Sequence, residues 1–324
     1  MNSPVEVSIV YVNWNSLKYL RESIGSVYRH THKTSFEIIV VDNASSEPDI
    51  GSLNLQFPGV MVICCDENLG FACANNLGFR HSLGEYILFL NPDTKLVEPS
   101  VDLLLAHYKS LKDAGIVGCR LLNADLSVQL SSIQTFPTIL NQALDSDYLR
   151  RRWPACSLWR IEPLFSENSR PKKVDIVSGA CMMIRRSVFE LVGCFCEDYF
   201  MYAEDWDLNY RVDRAGFANY FCGDTVIIHY GGTSSAMQGV SEWSTAMKCR
   251  SMVQLMRKTR GTAYAGGYRL TMALVALARL LLLALMVPFE VLRASRKPLK
   301  HSRDKWKTVL RVCAGVDVAA ADRG

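Results

Sequence analysis

The chain has 324 residues, of which 49% are hydrophobic and 21% charged, and its formal net charge is +4. That composition can bury one large α/β domain with an appendage, or two ordinary domains, and it excludes a disordered or collagen-like chain. Eleven cysteines, an odd number without paired spacing, argue against a disulfide framework or a zinc site and indicate a reducing, cytosolic setting. A strand pattern begins almost at once, at Val5 to Val12, so no cleaved secretory signal is expected. Ser16 to His30 has helical spacing, with Leu17, Leu20, Ile24, Val27 and Tyr28 on one side. Phe36 to Val41 reads as a second buried strand, closed by a loop or capping run from Asp42 to Ser46. Val60 to Cys64 is a third strand, Gly70 to Ser82 a helix, and Tyr86 to Leu90 a fourth strand stopped by Asn91-Pro92-Asp93. A helix over Ser100 to Lys112 and a strand over Gly115 to Cys119 continue the alternation. Such alternation predicts a mostly parallel sheet with helices on both faces.

From Ser131 to Lys173 no period is visible, and the stretch reads as a long functional loop region. Regular structure resumes over Val174 to Ile184, then in helices near Arg186 to Val192 and Ala203 to Arg211, and in a last strand from Thr225 to His229. Between Lys248 and Arg311 there are fifteen Lys/Arg against Glu290 and Asp304. Inside this basic stretch lies an apolar run, Leu270 to Val287, broken only by Arg279. Leucine-rich sequence among cations suits an anionic membrane surface. Nucleic acid is not expected, because base-stacking aromatics are not interleaved. Arg279 at the centre of a spanning helix would cost roughly 2.5–3.5 kcal/mol. Amphipathic helices lying in the interface are therefore expected, with a packed helical subdomain or a spanning helix as alternatives.

Ligands of open α/β sheets bind beyond the carboxyl ends of the strands. Polar residues collect there: Tyr11, Asn13 and Asn15 after strand one, Asp42 after strand two, Asn91 and Asp93 after strand four, and His229 after the last. Singly, Asn13 and Asp42 also suit helix caps, and His229 a structural histidine; together they imply a polar cleft. No Gly-rich phosphate loop or dinucleotide fingerprint follows strand one. A diphosphate here would need a divalent cation, Mg²⁺ or Mn²⁺, for which Asp93 and His229 are the candidate ligands. Glu204, Asp205 and Asp207 crowd a helix start. They suit the helix dipole, and mutual repulsion plus burial would also make one of them a general base. Gly179-Ala180 permits close approach of a substrate or of this helix.

These residues resemble a known family. Val7 to Ser46, Asn68 to Gly78 and Tyr86 to Thr94 resemble successive motifs of family-2 glycosyltransferases with the GT-A fold. Ser178 to Arg185 and Phe200 to Leu208 are similar to acceptor-side motifs of the rhamnosyltransferase-like branch. The likeness covers roughly residues 5 to 235. It implies a GT-A catalytic domain over 1–245, and the charge and apolar pattern adds a basic, apolar helical membrane-associating region over 246–324. It implies that Asp42 binds the base of a nucleotide sugar, and that Asn13, Asn15, Asn68, Gly70 and Asn75 line the cleft. Asp93 matches the last carboxylate of the family's Asp-x-Asp metal element, with Asn91 standing in the first position, and His229 matches a further ligand. Asp205 matches the catalytic base, with Glu204 and Asp207 orienting the acceptor. The expected reaction is a metal-dependent, inverting transfer, L-rhamnose from dTDP-rhamnose being the first guess. The acceptor would be a polyprenyl-linked or polysaccharide hydroxyl at the inner face of the cell membrane, in cell-surface glycan synthesis. A UDP- or GDP-sugar donor, a sugar nucleotidyltransferase and a non-catalytic binding module are the alternatives.

Overall fold

A computed structural model describes residues 4–47, 49–166, 170–231, 242–290 and 297–316. Its elements run β1 (Val7–Asn13), α1 (Leu17–His30), β2 (Phe36–Asp42), α2 (Leu53–Gln56), β3 (Val60–Cys64), α3 (Gly70–Arg80), β4 (Tyr86–Leu90), β5 (Thr94–Leu96), α4 (Ser100–Ser110) and β6 (Ala114–Leu122). There follow β7 (Ile133–Gln134), α5 (Ile139–Ala143), α6 (Asp147–Arg152), β8 (Lys172–Val174), β9 (Ile176–Val177), β10 (Cys181–Arg185), α7 (Arg186–Leu191), α8 (Glu204–Arg214) and β11 (Ala218–His229). Three helices complete the order: α9 (Glu242–Arg260), α10 (Thr262–Glu290) and α11 (Lys297–Cys313). The chain divides into two compact units. One contains Met1–Phe136, Ser146–Phe200 and Glu204–Ser234; the other contains Pro137–Asp145, Met201–Ala203 and Ser235–Gly324.

The first unit is built on a nine-stranded sheet ordered β3-β2-β1-β4-β10-β6-β11-β5, with β8 on β11. The expected parallel core is present in β3-β2-β1-β4 and in β6-β11. However, β10 runs antiparallel to both β4 and β6, and β5 and β8 run antiparallel to β11, so the sheet is mixed. The reversal follows from the route of the chain. The long excursion after β6 replaces the single crossover helix that a parallel neighbour requires. Strands β1, β2 and β4 are runs of Val, Ile, Leu and Phe buried on both faces. On one face, Ile9, Leu88 and Val117 pack against Leu20 and Ile24 of α1 and Leu104 of α4. On the other, Val10, Ile87 and Phe89 pack against Phe79 of α3, Phe189 of α7 and Leu208 of α8.

The last strand begins at Ala218, seven residues before the reading from Thr225. Its pairing with β6 shifts between Cys222 and Val226, and that irregularity interrupts the alternation that marks a strand. Within the stretch read as loop, short elements form, and Pro137–Asp145 groups with the C-terminal helices. There the Ile139 amide donates to the Tyr264 hydroxyl at 3.1 Å.

In the second unit, Met256, Tyr268, Met272, Ala276, Val309 and Cys313 form a small core among the three helices. Helix α11 is amphipathic, with Val309 and Cys313 buried and Lys300, Arg303, Lys305, Lys307 and Arg311 exposed. Along α10, Leu270, Leu274, Leu277, Leu281 and Leu285 are exposed at helical spacing. The segment Thr262–Met286 is long and apolar enough to cross a membrane, with a mean hydropathy of 2.0. Arg279 turns inward: its guanidinium lies 4.4 Å from the centre of the Trp306 ring and donates to the Asp145 carbonyl at 3.3 Å. Arg293 and Arg296, counted above in the basic stretch, lie outside the described residues.

The inner aromatic group gives a test of the fold. Phe195 is fully buried, with its ring 4.8 Å from Phe89 and 5.4 Å from Phe189. Phe195→Ala should destabilise the protein by about 3–5 kcal/mol. Urea unfolding measures it, and a loss below about 1 kcal/mol would contradict this packing.

Candidate active site

Strand directions decide which residues meet. The carboxyl ends of β1, β2, β4 and β11 and the amino end of the reversed β10 fall on one edge of the sheet. At that edge Asn13 lies opposite Asp42 in the β1–β2 register, and its amide donates to Asp42 Oδ1 at 2.8 Å. Ser45 adds a hydroxyl to the same oxygen at 2.6 Å and its backbone N–H to Oδ2 at 3.3 Å. Asn15 adopts a left-handed backbone, φ +51°, and its side-chain oxygen accepts from Ser46 N–H at 2.8 Å. These bonds hold the Asp42 carboxylate in one orientation.

The next residue, Asn43, fastens this loop to the turn before α3. It donates to Asn68 Oδ1 at 2.8 Å and accepts from the Leu69 amide at 2.8 Å. Gly70 is left-handed, φ +79°, and a Cβ there would lie 2.3 Å from the Phe200 carbonyl oxygen. Glycine is required at this point on both counts, and its contact ties the start of α3 to the segment that precedes α8. Two expected cleft residues have other partners. Tyr11 is fully buried, with its hydroxyl 2.9 Å from Ser23 of α1, so it belongs to the core. Asn75 is buried and donates back along its own helix to the Phe71 carbonyl at 2.9 Å.

Asn91, Asp93 and His229 meet at the same edge. His229 Nε2 lies 3.2 Å from Asp93 Oδ1 and 3.4 Å from the Asn91 amide nitrogen. Gln129 orients the ring. Its amide nitrogen donates to the His229 carbonyl, so its oxygen, 3.0 Å from Nδ1, accepts the proton carried there. That arrangement turns Nε2 toward the Asp93 carboxylate, 3.2 Å away. Asn91 Oδ1 is buried without a hydrogen-bond partner. One carboxylate, one imidazole and one amide oxygen fit a hard divalent cation whose remaining ligands come from a diphosphate and water. Among the described residues no three His, Cys, Asp or Glu side chains form a complete metal cage.

Asp205 sits at the start of α8 against β10. Its Oδ2 accepts the Gly179 N–H at 2.9 Å and its Oδ1 accepts the Trp206 N–H at 2.9 Å. A Cβ on Gly179 would come within 3.0 Å of the Asp205 Cβ, so the small residue makes room for the helix. The neighbouring Ala180 carbonyl accepts the Asn91 N–H at 3.0 Å, which brings Asp205 to the strand edge that carries Asp93. Asn209 locks α8 in place, bonding the Val177 N–H and C=O of β9 and the Asp205 carbonyl. Burial pushes the Glu204 carboxyl well above its ordinary value, and the adjacent Asp205 pushes it further. Its Oε2 is buried with no partner. Burial also raises Asp205, but the two backbone N–H groups oppose the rise. Two backbone N–H groups thus favour the charged form of Asp205, and Glu204, whose Oε2 has no such donor, is pushed upward by burial and by Asp205. Asp207 is ion-paired with Arg211 at 2.7 Å, so its carboxylate is already engaged.

The structure thus brings Asn13, Asp42, Asn91, Asp93, Asp205 and His229 to one edge. It adds Asn43, Ser45, Gln129 and Asn209, which the sequence reading does not single out. Ser45 carries a signal, since it lies in the capping run after β2. Gln129 lies in an irregular turn with none.

The sheet is thus mixed and flanked by helices, with carboxylates, amides and an imidazole gathered at its strand ends. Residues 8–193, more than half of the chain, match the model of glycosyl transferase family 2, and the protein belongs to that family. It is 26% identical over 244 residues to the O-antigen biosynthesis protein RfbC of Myxococcus xanthus, a match to 73% of this chain and 18% of that protein. It is 28% identical over 251 residues to an N-acetylglucosaminyl-diphospho-decaprenol L-rhamnosyltransferase of Mycobacterium tuberculosis, covering 72% of this chain and 78% of that one. Among solved structures, the mannosyltransferase PcManGT of Pyrobaculum calidifontis, in complex with GDP-Man and Mn²⁺, superposes with a TM-score of 0.60. That superposition is at 15% identity and covers 97% of this chain and 88% of the other.

Folding raises the Glu204 pKa, so the native state holds a proton that the unfolded chain releases. Stability present at acid pH is therefore lost as pH rises from the ordinary carboxylate value of 4.5 through the raised one. Glu204→Gln should remove that loss, melting at higher temperature than the parent at pH 8 and at nearly the same temperature at pH 4. Thermal melts at the two pH values check it. An equal shift at both would show that Glu204 is ionised in the fold.

Proposed function

We propose that the protein transfers a hexosyl group, with L-rhamnose the leading candidate, from a nucleoside diphosphate to a hydroxyl of a lipid-linked or polysaccharide acceptor, with inversion. One observation carries this reading. Asp205 is presented by two N–H groups at the edge that holds Asp93 and His229. Of the other carboxylates at the start of α8, burial raises the pKa of Glu204 well above its ordinary value and Asp207 is paired with Arg211. One base and one leaving group suffice for a single displacement. The rhamnosyl donor is supported by likeness to the Mycobacterium tuberculosis enzyme.

In this mechanism Asp42, fixed by Asn13 and Ser45, takes the nucleoside end of the donor. Asp93 and His229 would hold a divalent cation, which when bound supplies charge stabilisation for the departing diphosphate. Asp205 accepts the proton of the acceptor hydroxyl, whose oxygen attacks the anomeric carbon on the face opposite the diphosphate. The carbon–oxygen bond to phosphate breaks as the new one forms, so the configuration inverts. The Gly179 and Trp206 N–H groups favour the ionised form of Asp205 before the attack and aim it at the hydroxyl.

Helix α10 completes the reading. Its exposed leucines, beside the cations of α11, would rest on an anionic membrane near a lipid-linked acceptor, at the cytoplasmic face. Replacing Leu274, Leu277 and Leu281 together by Asp should abolish co-sedimentation with vesicles containing phosphatidylglycerol while leaving the melting temperature unchanged. Equal binding of parent and variant would refute this use of α10.

A panel of nucleotide sugars assayed for Mn²⁺-dependent release of nucleoside diphosphate tests the activity. The proposal expects release from dTDP-rhamnose with a suitable acceptor, and release from no donor would end it. Asp205→Asn should keep its affinity for nucleoside diphosphate and lose at least about a hundredfold in kcat, some 2.7 kcal/mol in the barrier. A loss within tenfold would mean that Asp205 is not the base.

A further inference from the structure

The turn that carries Asn91 and Asp93 is held from the interior of the sheet unit. Thr94 opens β5, and its hydroxyl donates to the Asn91 carbonyl at 2.7 Å while its N–H reaches the same oxygen at 3.2 Å. In the antiparallel register Thr94 lies directly opposite His229, and the Tyr230 N–H donates to the Asp93 carbonyl at 2.9 Å. Thr94 therefore joins the segments that present Asp93 and His229. On its inner side the Thr94 hydroxyl lies 3.1 Å from the Ser23 hydroxyl of α1, which lies 2.9 Å from the Tyr11 hydroxyl of β1. Each hydroxyl has one proton to give. Thr94 gives its proton to a carbonyl, so it accepts from Ser23, and Ser23 in turn accepts from Tyr11. Tyr11 and Ser23 are 0% exposed and Thr94 is 1% exposed, so bulk water does not compete with this order. Ser26 adds a second tie between α1 and β5, donating to the Ser23 carbonyl at 2.7 Å and accepting the Leu96 N–H at 2.9 Å.

We propose that the hydroxyl chain Tyr11–Ser23–Thr94 positions the cation site: it fixes the Asn91-Pro92-Asp93 turn against β11 and so sets the separation of Asp93 from His229. The inference rests on the reading of Asp93 and His229 as cation ligands and extends it to three residues that touch neither cation nor substrate. They are positioning residues. In a buried chain of one direction each bond polarises the next, so the pull on the Asn91 carbonyl depends on the whole chain. With one carboxylate, one imidazole and one amide oxygen, affinity for a cation depends on how closely those few ligands are placed. Loss of the Thr94 hydroxyl leaves the Asn91 carbonyl with one donor, loosens the turn and lets Asp93 drift from His229. Nucleoside binding depends on Asp42 and Asn13, whose hydrogen bonds do not include the chain. Tyr11 thereby serves the cleft from the core side.

The test uses the full-length protein with Thr94→Val, Thr94→Ser, Ser23→Ala and Tyr11→Phe. Titration with Mn²⁺, read from the electron paramagnetic resonance signal of the free ion, measures cation affinity without turnover. Thr94→Val should weaken Mn²⁺ binding by about tenfold or more, Ser23→Ala and Tyr11→Phe progressively less, and Thr94→Ser should bind within about twofold of the parent. Affinity for the nucleoside diphosphate that the parent binds in EDTA, dTDP or UDP, should be unchanged in all four. Hydrogen exchange of the amides of residues 94 and 230 reads the turn directly. It should quicken by about tenfold or more in Thr94→Val while β2 amides stay unchanged, and Thr94→Ser should keep the protection. Unchanged exchange, or faster exchange with Mn²⁺ affinity intact, overturns the proposal. A parallel loss of Mn²⁺ affinity, nucleotide affinity and melting temperature in Thr94→Val, shared by Thr94→Ser, also overturns it by showing a merely structural role. A parent protein that binds no Mn²⁺ would instead overturn the cation reading, and the exchange comparison would still judge the hold of the chain on the turn.

Discussion

The Asp205 carboxylate meets the Gly179 amide at 2.9 Å, and most of the site depends on that bond. It exists because β10 enters the sheet backwards between β4 and β6. Reversal brings the amino end of β10 to the edge where its neighbours have their carboxyl ends, so a free backbone N–H appears beside Asn91 and Asp93. A side chain at Gly179 would close the gap. A parallel β10 would present that amide at the far side of the sheet, and α8 would have nothing to dock on there. Register, direction and one missing Cβ thus bring together residues more than a hundred positions apart.

The acidic run at the start of α8 shows how one chemical group takes three roles. Glu204, Asp205 and Asp207 lie within four residues, but their surroundings differ. Glu204 is enclosed, its Oε2 has no partner, and burial drives its pKa upward. Asp207 is matched by a guanidinium. Asp205 receives two backbone dipoles and retains some access to solvent. Environment separates the three carboxyl groups more sharply than residue type does.

Much of this was legible from residue pattern. Strands β1, β2 and β4 stand out as unbroken apolar runs because both of their faces are covered. The polar residues that end them mark the cleft for the same reason, since only there does the chain leave the interior. The direction of β10 was not legible, because a strand carries the same apolar signature whichever way it runs. Tyr11 illustrates the limit of reading by position. It is close to the strand end, but alternation aligns it with Val7 and Ile9, toward α1. Asn75 is polar and near the right turn, yet a helix offers its amide a carbonyl one turn back. Gln129 fixes the His229 ring from a segment without periodicity, and only tertiary structure brings them together.

Arg279 has a consequence for how α10 can behave. Its guanidinium is stacked on an indole from α11 and capped by a carbonyl that precedes α6. To sink the helix into hydrocarbon would strip both partners from a permanent cation or drag them along. On the membrane surface proposed above, the leucine row would enter to about half a helix diameter, some 5 Å, and the tethered guanidinium would oppose deeper entry.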